Sequence, residues 1–102
     1  MTPEKTLLYI DDDEALRTSF QWAFEDMGFG EIITTETGES GLAIITKDTH
    51  IVISDYNLGS GIDGITVLKE VMKTRPDIFR VLHSSYVGQD ETPISCCLNL
   101  LV

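Results

Sequence analysis

Basic residues are scarce: 7 Lys and Arg stand against 17 Asp and Glu, giving a formal net charge of −10 over 102 residues. An acidic surface repels nucleic acid and anionic membrane, so neither is an expected partner, and a protein partner suits the chain better. Long apolar runs are missing as well. No segment approaches membrane-spanning length, and Met1-Thr2-Pro3-Glu4-Lys5 lacks a secretory pattern, so a cytoplasmic location is expected. The only cysteines, Cys96 and Cys97, are adjacent and offer neither CxxC nor metal spacing. They are expected to be reduced thiols buried as small hydrophobes. There is no internal repeat, linker or low-complexity segment. With 42% apolar residues the composition is that of a folded protein, and one domain over residues 1–102 is expected.

What is present is an alternation of short apolar runs and amphipathic stretches. Leu7-Leu8-Tyr9-Ile10 reads as a strand buried on both faces, and it stops at four acids, Asp11-Asp12-Asp13-Glu14. One of these can cap the helix that follows, because a carboxylate accepts from free N–H groups and complements the helix dipole. That helix carries Leu16, Phe20, Ala23, Phe24 and Met27 at helical spacing, with Trp22 beside the stripe as a packing residue and Gly28 as terminator. A second strand spans Ile32-Ile33-Thr34-Thr35. A helix opening at Thr37-Gly38-Glu39 follows, with Leu42, Ile44 and Ile45 as its apolar positions. Ile51-Val52-Ile53-Ser54 is a third strand and again delivers an acid, Asp55, at its C-terminal end. A glycine-rich loop from Asn57 to Gly64 leads to a helix with Ile65, Leu68, Val71 and Met72 inward, ended by Arg75-Pro76. Phe79 to Ser84 is a fourth strand. After it, Thr92 as N-cap and Pro93 at the first helical position favour a helix, with a strand over Cys97 to Val102 as the alternative.

The order βαβαβαβ implies a doubly wound α/β sheet of parallel strands with helices on both faces. Ligands bind such sheets outside the carboxyl ends of the strands. If the first and third strands are neighbours, Asp11, Asp12 and Asp55 converge there, and like charges so close require raised pKa values or a cation. A hard divalent ion, Mg²⁺ or Mn²⁺, resolves the conflict, and an Asp so placed can attack phosphorus. The simpler alternative is that Asp11 to Asp13 only cap a helix and Asp55 only starts a turn.

LLYIDDDEALR, TETGESGL, VISDYNLGSGIDGITVLKEV and RVLHSSY together resemble the response-regulator receiver domain over residues 5 to 88. The resemblance implies a flavodoxin-like receiver topology and a signalling module rather than an enzyme. It takes phosphoryl groups from a histidine kinase or phosphotransfer protein. It implies Asp55 as phosphoacceptor, Asp12 as a direct Mg²⁺ ligand, Asp11 assisting through water, and Asn57 contributing its backbone carbonyl. Ser84 would be the switch hydroxyl, with Ser85 as the alternative because the loop after Asp55 looks one residue longer than usual. Gly41 stands where Ala is usual, and Gly59 where proline is common, with extra loop freedom expected. His83 is expected to be a partly buried structural residue.

Receivers normally continue into a fifth strand ending in Lys-Pro and a last helix. No lysine follows Lys73 here and the sequence stops at Val102, so this final β/α unit is expected to be missing. That leaves the fourth strand as a sheet edge. Seven apolar residues, Ile94, Cys96, Cys97, Leu98, Leu100, Leu101 and Val102, follow it. A homodimer through the C-terminal segment and that edge is therefore expected. Two competing assignments are a pseudo-receiver, an interaction module that never carries phosphate, and a phosphatase resembling the haloacid dehalogenases. The latter family's DxD signature is matched only in part, since Ala15 occupies the place of its usual Thr or Val.

Overall fold

Leu7, Leu8, Tyr9 and Ile10 are all buried at 1% exposure or less, as a strand covered on both faces requires. The structure, a computed structural model, describes residues 5–87 and 93–99, with side-chain surroundings through residue 83. The elements are β1 (Thr6–Ile10), α1 (Glu14–Asp26), β2 (Glu31–Thr35), α2 (Gly38–Ile44), β3 (Thr49–Asp55), α3 (Gly64–Thr74), β4 (Phe79–Val87) and β5 (Pro93–Asn99). They form one sheet in the order β2-β1-β3-β4-β5. The first four strands are parallel, which gives the doubly wound architecture that the alternation of elements implies.

The C-terminal segment corrects the sequence reading. Pro93–Asn99 is a strand, antiparallel to β4, with Val81 opposite Asn99 and Val87 opposite Pro93. The favoured helix is therefore absent. The alternative strand is right in kind but starts four residues earlier, while Thr92 and residues 100–102 lie outside the described residues. The helix rested on a local capping cue, and the unpaired backbone of the β4 edge outweighs it by offering non-local partners. The β4 edge expected to be free for a second copy is thus occupied by the chain itself. A fifth strand is present, with the opposite direction from the one the resemblance implies.

The two sheet faces are unequally covered. Leu8, Ile10, Val52 and Leu82 pack with Val67, Leu68 and Val71 of α3, and with Leu58 and Ile78, into the main core. Fully burying each such side chain stabilises the fold by roughly 1.5–3 kcal/mol. Val67 carries none of its surface to solvent, although the expected stripe on α3 passed over it. On the opposite face α1 rides on Tyr9 through Phe20 and Phe24, with ring centroids 4.8 and 6.2 Å away. This helix has no fully buried residue. Trp22 and Met27 are each 69% exposed, so neither is the packing residue the spacing suggests. The helix turns its Leu16–Phe20–Phe24 edge inward, with Arg17 and Gln21 half-buried beside it. Gly28 does terminate it, at φ +90° with its N–H donating to the Glu25 carbonyl.

Thr37 caps α2, its hydroxyl accepting from the Ser40 N–H at 3.0 Å, and the Ser40 hydroxyl completes a capping box. One turn on, Gly41 is buried. A Cβ there would collide with the Ile10 δ-methyl and stand 2.9 Å from Ile10 Cγ1 and 3.1 Å from Thr35 Oγ1. The glycine in an alanine's usual place is therefore matched to a bulky, fully buried neighbour on β1. Gly41→Ala gains up to about 1 kcal/mol of helix propensity but overpacks the core at a cost of roughly 1–3 kcal/mol. We expect the variant to melt at lower temperature, and Gly41→Ala combined with Ile10→Val to recover part of the loss. A Gly41→Ala protein more stable than wild type in chemical denaturation would contradict this packing.

Candidate functional site

The sheet order places the ends of β1 and β3 side by side, with Ile10 opposite Ser54, and the end of β3 beside β4, with Asp55 opposite His83. Side chains in register on adjacent parallel strands share a face. Asp11, Asp55 and His83 are accordingly brought together at 1%, 8% and 3% exposure, and one ligand atom from each lies within 4.8 Å of the other two.

The acid run divides its work. Asp11 is fixed on every side: Oδ2 accepts from the Tyr9 hydroxyl at 2.6 Å, Oδ1 from the Asp13 N–H at 3.0 Å, and its carbonyl from Arg17 Nη1 at 2.8 Å. Asp13 is the N-cap of α1, its carboxylate accepting from the Ala15 and Leu16 N–H groups at 2.9 and 3.2 Å. Asp12 is exposed, and its Oδ2 lies 3.2 Å from where a Cβ on Gly59 would stand. Helix capping thus accounts for Asp13 alone, leaving Asp11 buried beside Asp55 and Asp12 exposed next to them.

Burial, and after it the charge of Asp11, push the Asp55 carboxyl up to about 6, with lesser contributions from Asp12 and Asp13. Burial and the adjoining Asp11 also raise the Tyr9 phenol far above its ordinary range, so it acts here as a hydrogen-bond donor. The His83 imidazole is moved down by burial, against an upward pull from Asp11. Its ring meets Phe20 edge to face at 5.1 Å.

The loop after Asp55 is tied down at several points. Leu58 is buried at 3% exposure and anchors it to the core. The exposed Asn57 accepts the Gly59 N–H on its side-chain oxygen at 3.0 Å. Gly59 sits at φ +78°, a value closed to proline, so the glycine is required by this backbone path and is more than added freedom. Glu39 of α2 accepts the Ile62 N–H at 3.1 Å. Asp63 then caps α3, accepting the Thr66 N–H at 2.8 Å. At the head of α3, Gly64 donates to the Tyr56 carbonyl at 2.9 Å, and its bare α-carbon lies against the Asp55 carbonyl, which a Cβ would strike.

Of the residues singled out in the sequence, Asp11 and Asp55 meet, with Asp12 and Asn57 exposed at the rim. The side chains of Ser84, Ser85, Cys96 and Cys97 lie outside the described residues. Tyr9 and His83 are the two site residues that sequence reasoning missed. Tyr9 is two residues before Asp11 and so on the same strand face, a signal available in the sequence. The place of His83 depends on the β3–β4 register, which was not.

A family model for the response regulator receiver domain matches residues 7–97. The chain belongs to that family. A probable chemotaxis protein CheY from Rhizobium etli is 36% identical over 72 residues, 70% of this chain and 54% of the relative. The chain therefore spans about half the length of that curated protein. Among solved structures, the response regulator TrrA of Thermotoga maritima in complex with Mg²⁺-BeF is similar at 30% identity and a TM-score of 0.74, over 80% of this chain and 70% of TrrA. TrrA in complex with the histidine kinase ThkA is similar at 28% identity and a TM-score of 0.72, over 86% of this chain and 75% of the matched one.

The raised Asp55 carboxyl has a measurable consequence in metal-free protein. Its folded value of about 6 exceeds the ordinary 3.8, so the ionised side chain opposes folding above pH 6 and the opposition fades as pH falls toward 4. Asp55→Asn removes the charge at every pH. It should stabilise the apo protein at pH 7.5, on the order of 2 kcal/mol, and the gain should shrink steadily toward pH 4.5. Equal melting shifts at both pH values would refute the raised carboxyl.

Proposed function

We propose that this receiver domain accepts a phosphoryl group on Asp55 in a divalent-cation pocket and signals by changing its contacts with other proteins. The observation that carries this reading is the pair of buried carboxylates, Asp11 and Asp55, converging at the strand ends with Asp12 on the rim. The oxygen donors of all three fit a hard ion. Burial raises Asp55 first and the charge of Asp11 second, and a cation relieves the second.

Asp12 would ligate Mg²⁺ or Mn²⁺ directly, together with Asp55 and the Asn57 backbone carbonyl. Asp11, held by Tyr9 and the Asp13 N–H, would assist through water. When bound, the ion neutralises charge on the phosphoryl oxygens. An Asp55 carboxylate oxygen attacks phosphorus of a phosphohistidine. The O–P bond forms, the P–N bond breaks, and the leaving imidazole keeps the electron pair and takes up a proton. The similarity to TrrA, whose complexes contain Mg²⁺-BeF in one case and a histidine kinase in the other, supports both the ion and the class of donor. Ser84 would receive the phosphoryl oxygens, with Ser85 as the alternative. We place the domain in the cytoplasm.

One observation favours a second reading, a pseudo-receiver that works as an unphosphorylated interaction module: the strand beside β4, Pro93–Asn99, carries no lysine. A charge-assisted contact of the kind a lysine makes to phosphate is worth roughly 1.5–3 kcal/mol. Phosphorylation in this chain should therefore be slow and partial.

Acetyl phosphate with Mg²⁺ should add one phosphoryl mass to the wild type and none to Asp55→Asn, while Asp12→Ala should lose both the modification and the Mg²⁺-induced rise in melting temperature. Absence of any adduct alongside normal Mg²⁺ binding would establish the pseudo-receiver. Modification that survives Asp55→Asn would overturn the acceptor.

A further inference from the structure

His83 has no part in the phosphoryl chemistry proposed above, yet it stands beside both buried carboxylates. Asp11, Asp55 and His83 come from three adjacent strands, β1, β3 and β4, and each is over nine-tenths buried. Their ligand atoms lie within 4.8 Å of one another. Bonds of 2.0–2.2 Å around a tetrahedral ion put its ligand atoms about 3.3–3.6 Å apart, so side-chain rotations that close the widest separation by up to about 1.5 Å complete the set. The Asp11 carboxylate is oriented by Tyr9 at 2.6 Å and the Asp13 N–H at 3.0 Å, and the His83 ring is held edge-on against Phe20. Two of the three donors are thus positioned by contacts that no ion supplies, as a site's supporting shell requires.

Two carboxylates alone suit Mg²⁺. An imidazole nitrogen adds little for that ion, which prefers oxygen and keeps several waters, whereas it is a strong donor to first-row transition ions. We propose that Asp11, Asp55 and His83 form a three-ligand site for a late first-row divalent ion such as Co²⁺ or Zn²⁺, reached from the same strand ends as the Mg²⁺ or Mn²⁺ pocket but distinguished from it by its nitrogen donor. Asp12, exposed on the rim, belongs to the Mg²⁺ set and lies outside this one. The inference shares Asp11 and Asp55 with the proposed phosphorylation site and stands whether or not Asp55 accepts phosphate.

Calorimetric titrations of the whole chain with Co²⁺ and with Mg²⁺ test the proposal without reference to phosphorylation. His83→Gln should weaken Co²⁺ binding by at least about tenfold, since even the loss of a supporting residue costs 10–100-fold at metal sites. Its Mg²⁺ affinity should stay within about twofold of wild type, because the oxygen donors are untouched. Asp12→Asn should do the reverse. Retained Mg²⁺ binding in His83→Gln also shows that the variant is folded. Should it not fold, wild-type spectra decide: Zn²⁺, which is diamagnetic, should shift the ring resonances of His83 well beyond what Mg²⁺ does while leaving those of His50, the chain's second histidine, in place. Undiminished Co²⁺ affinity in folded His83→Gln, equal losses for both ions, an unshifted His83, or an intense near-ultraviolet thiolate–Co²⁺ band would each overturn the site.

Discussion

Two carboxylates held side by side out of water are the constraint around which the rest of this domain is arranged. Asp11 and Asp55 are 1% and 8% exposed, and the parallel register of β1 and β3 leaves them nowhere else to go. Each element nearby bears on the cost of that placement. Tyr9 donates to Asp11 from two residues earlier on the same strand face, the start of α1 donates the Asp13 N–H, and Arg17 holds the carbonyl. Asp55 has fewer donors and is pushed toward its protonated form.

The strand–helix alternation, the strand ends and the carboxylate convergence were legible in the chain because they rest on local signals: apolar tetrads, glycine punctuation, and acids at strand termini. Even the division of the DDD run follows from a local rule, since the residue before the helix caps it. What was not legible depended on pairing between distant segments. Pro93–Asn99 carries a helix-start cue and is a strand because β4 offers its edge. His83 looked like packing until the β3–β4 register set it opposite Asp55. Trp22 and Met27 fit the periodicity of α1 but not its surroundings, where a single sheet face and two phenylalanines set how far the helix is covered.

The departures from the family pattern are each local solutions with a partner. Gly41 answers to Ile10, and Gly59 to a left-handed backbone that proline could not adopt. Gly64, where the family pattern also ends its loop in glycine, lies against the carbonyl of Asp55, so β3 and the head of α3 touch backbone to backbone. Replacing Gly41 or Gly59 by the family's usual residue would therefore cost stability, the first through overpacking and the second through its backbone angle. The similarity to receivers of known structure, 28–30% identical over at least 80% of this chain, is compatible with such paired changes.

The thin attachment of α1 bears on motion. With no fully buried residue and two aromatic side chains as its main hold on the sheet, this helix has little to lose by detaching. The α3 face is pinned by Val67, Leu68 and Val71. Cooperative units with few buried contacts open at free energies well below that of global unfolding. When α1 lifts, the Asp13 cap, the Arg17 clamp on the Asp11 carbonyl and the Phe20 edge on His83 are released together. Sub-global opening of one lightly held helix would thus loosen the floor of the acidic cleft while the opposite core stays closed.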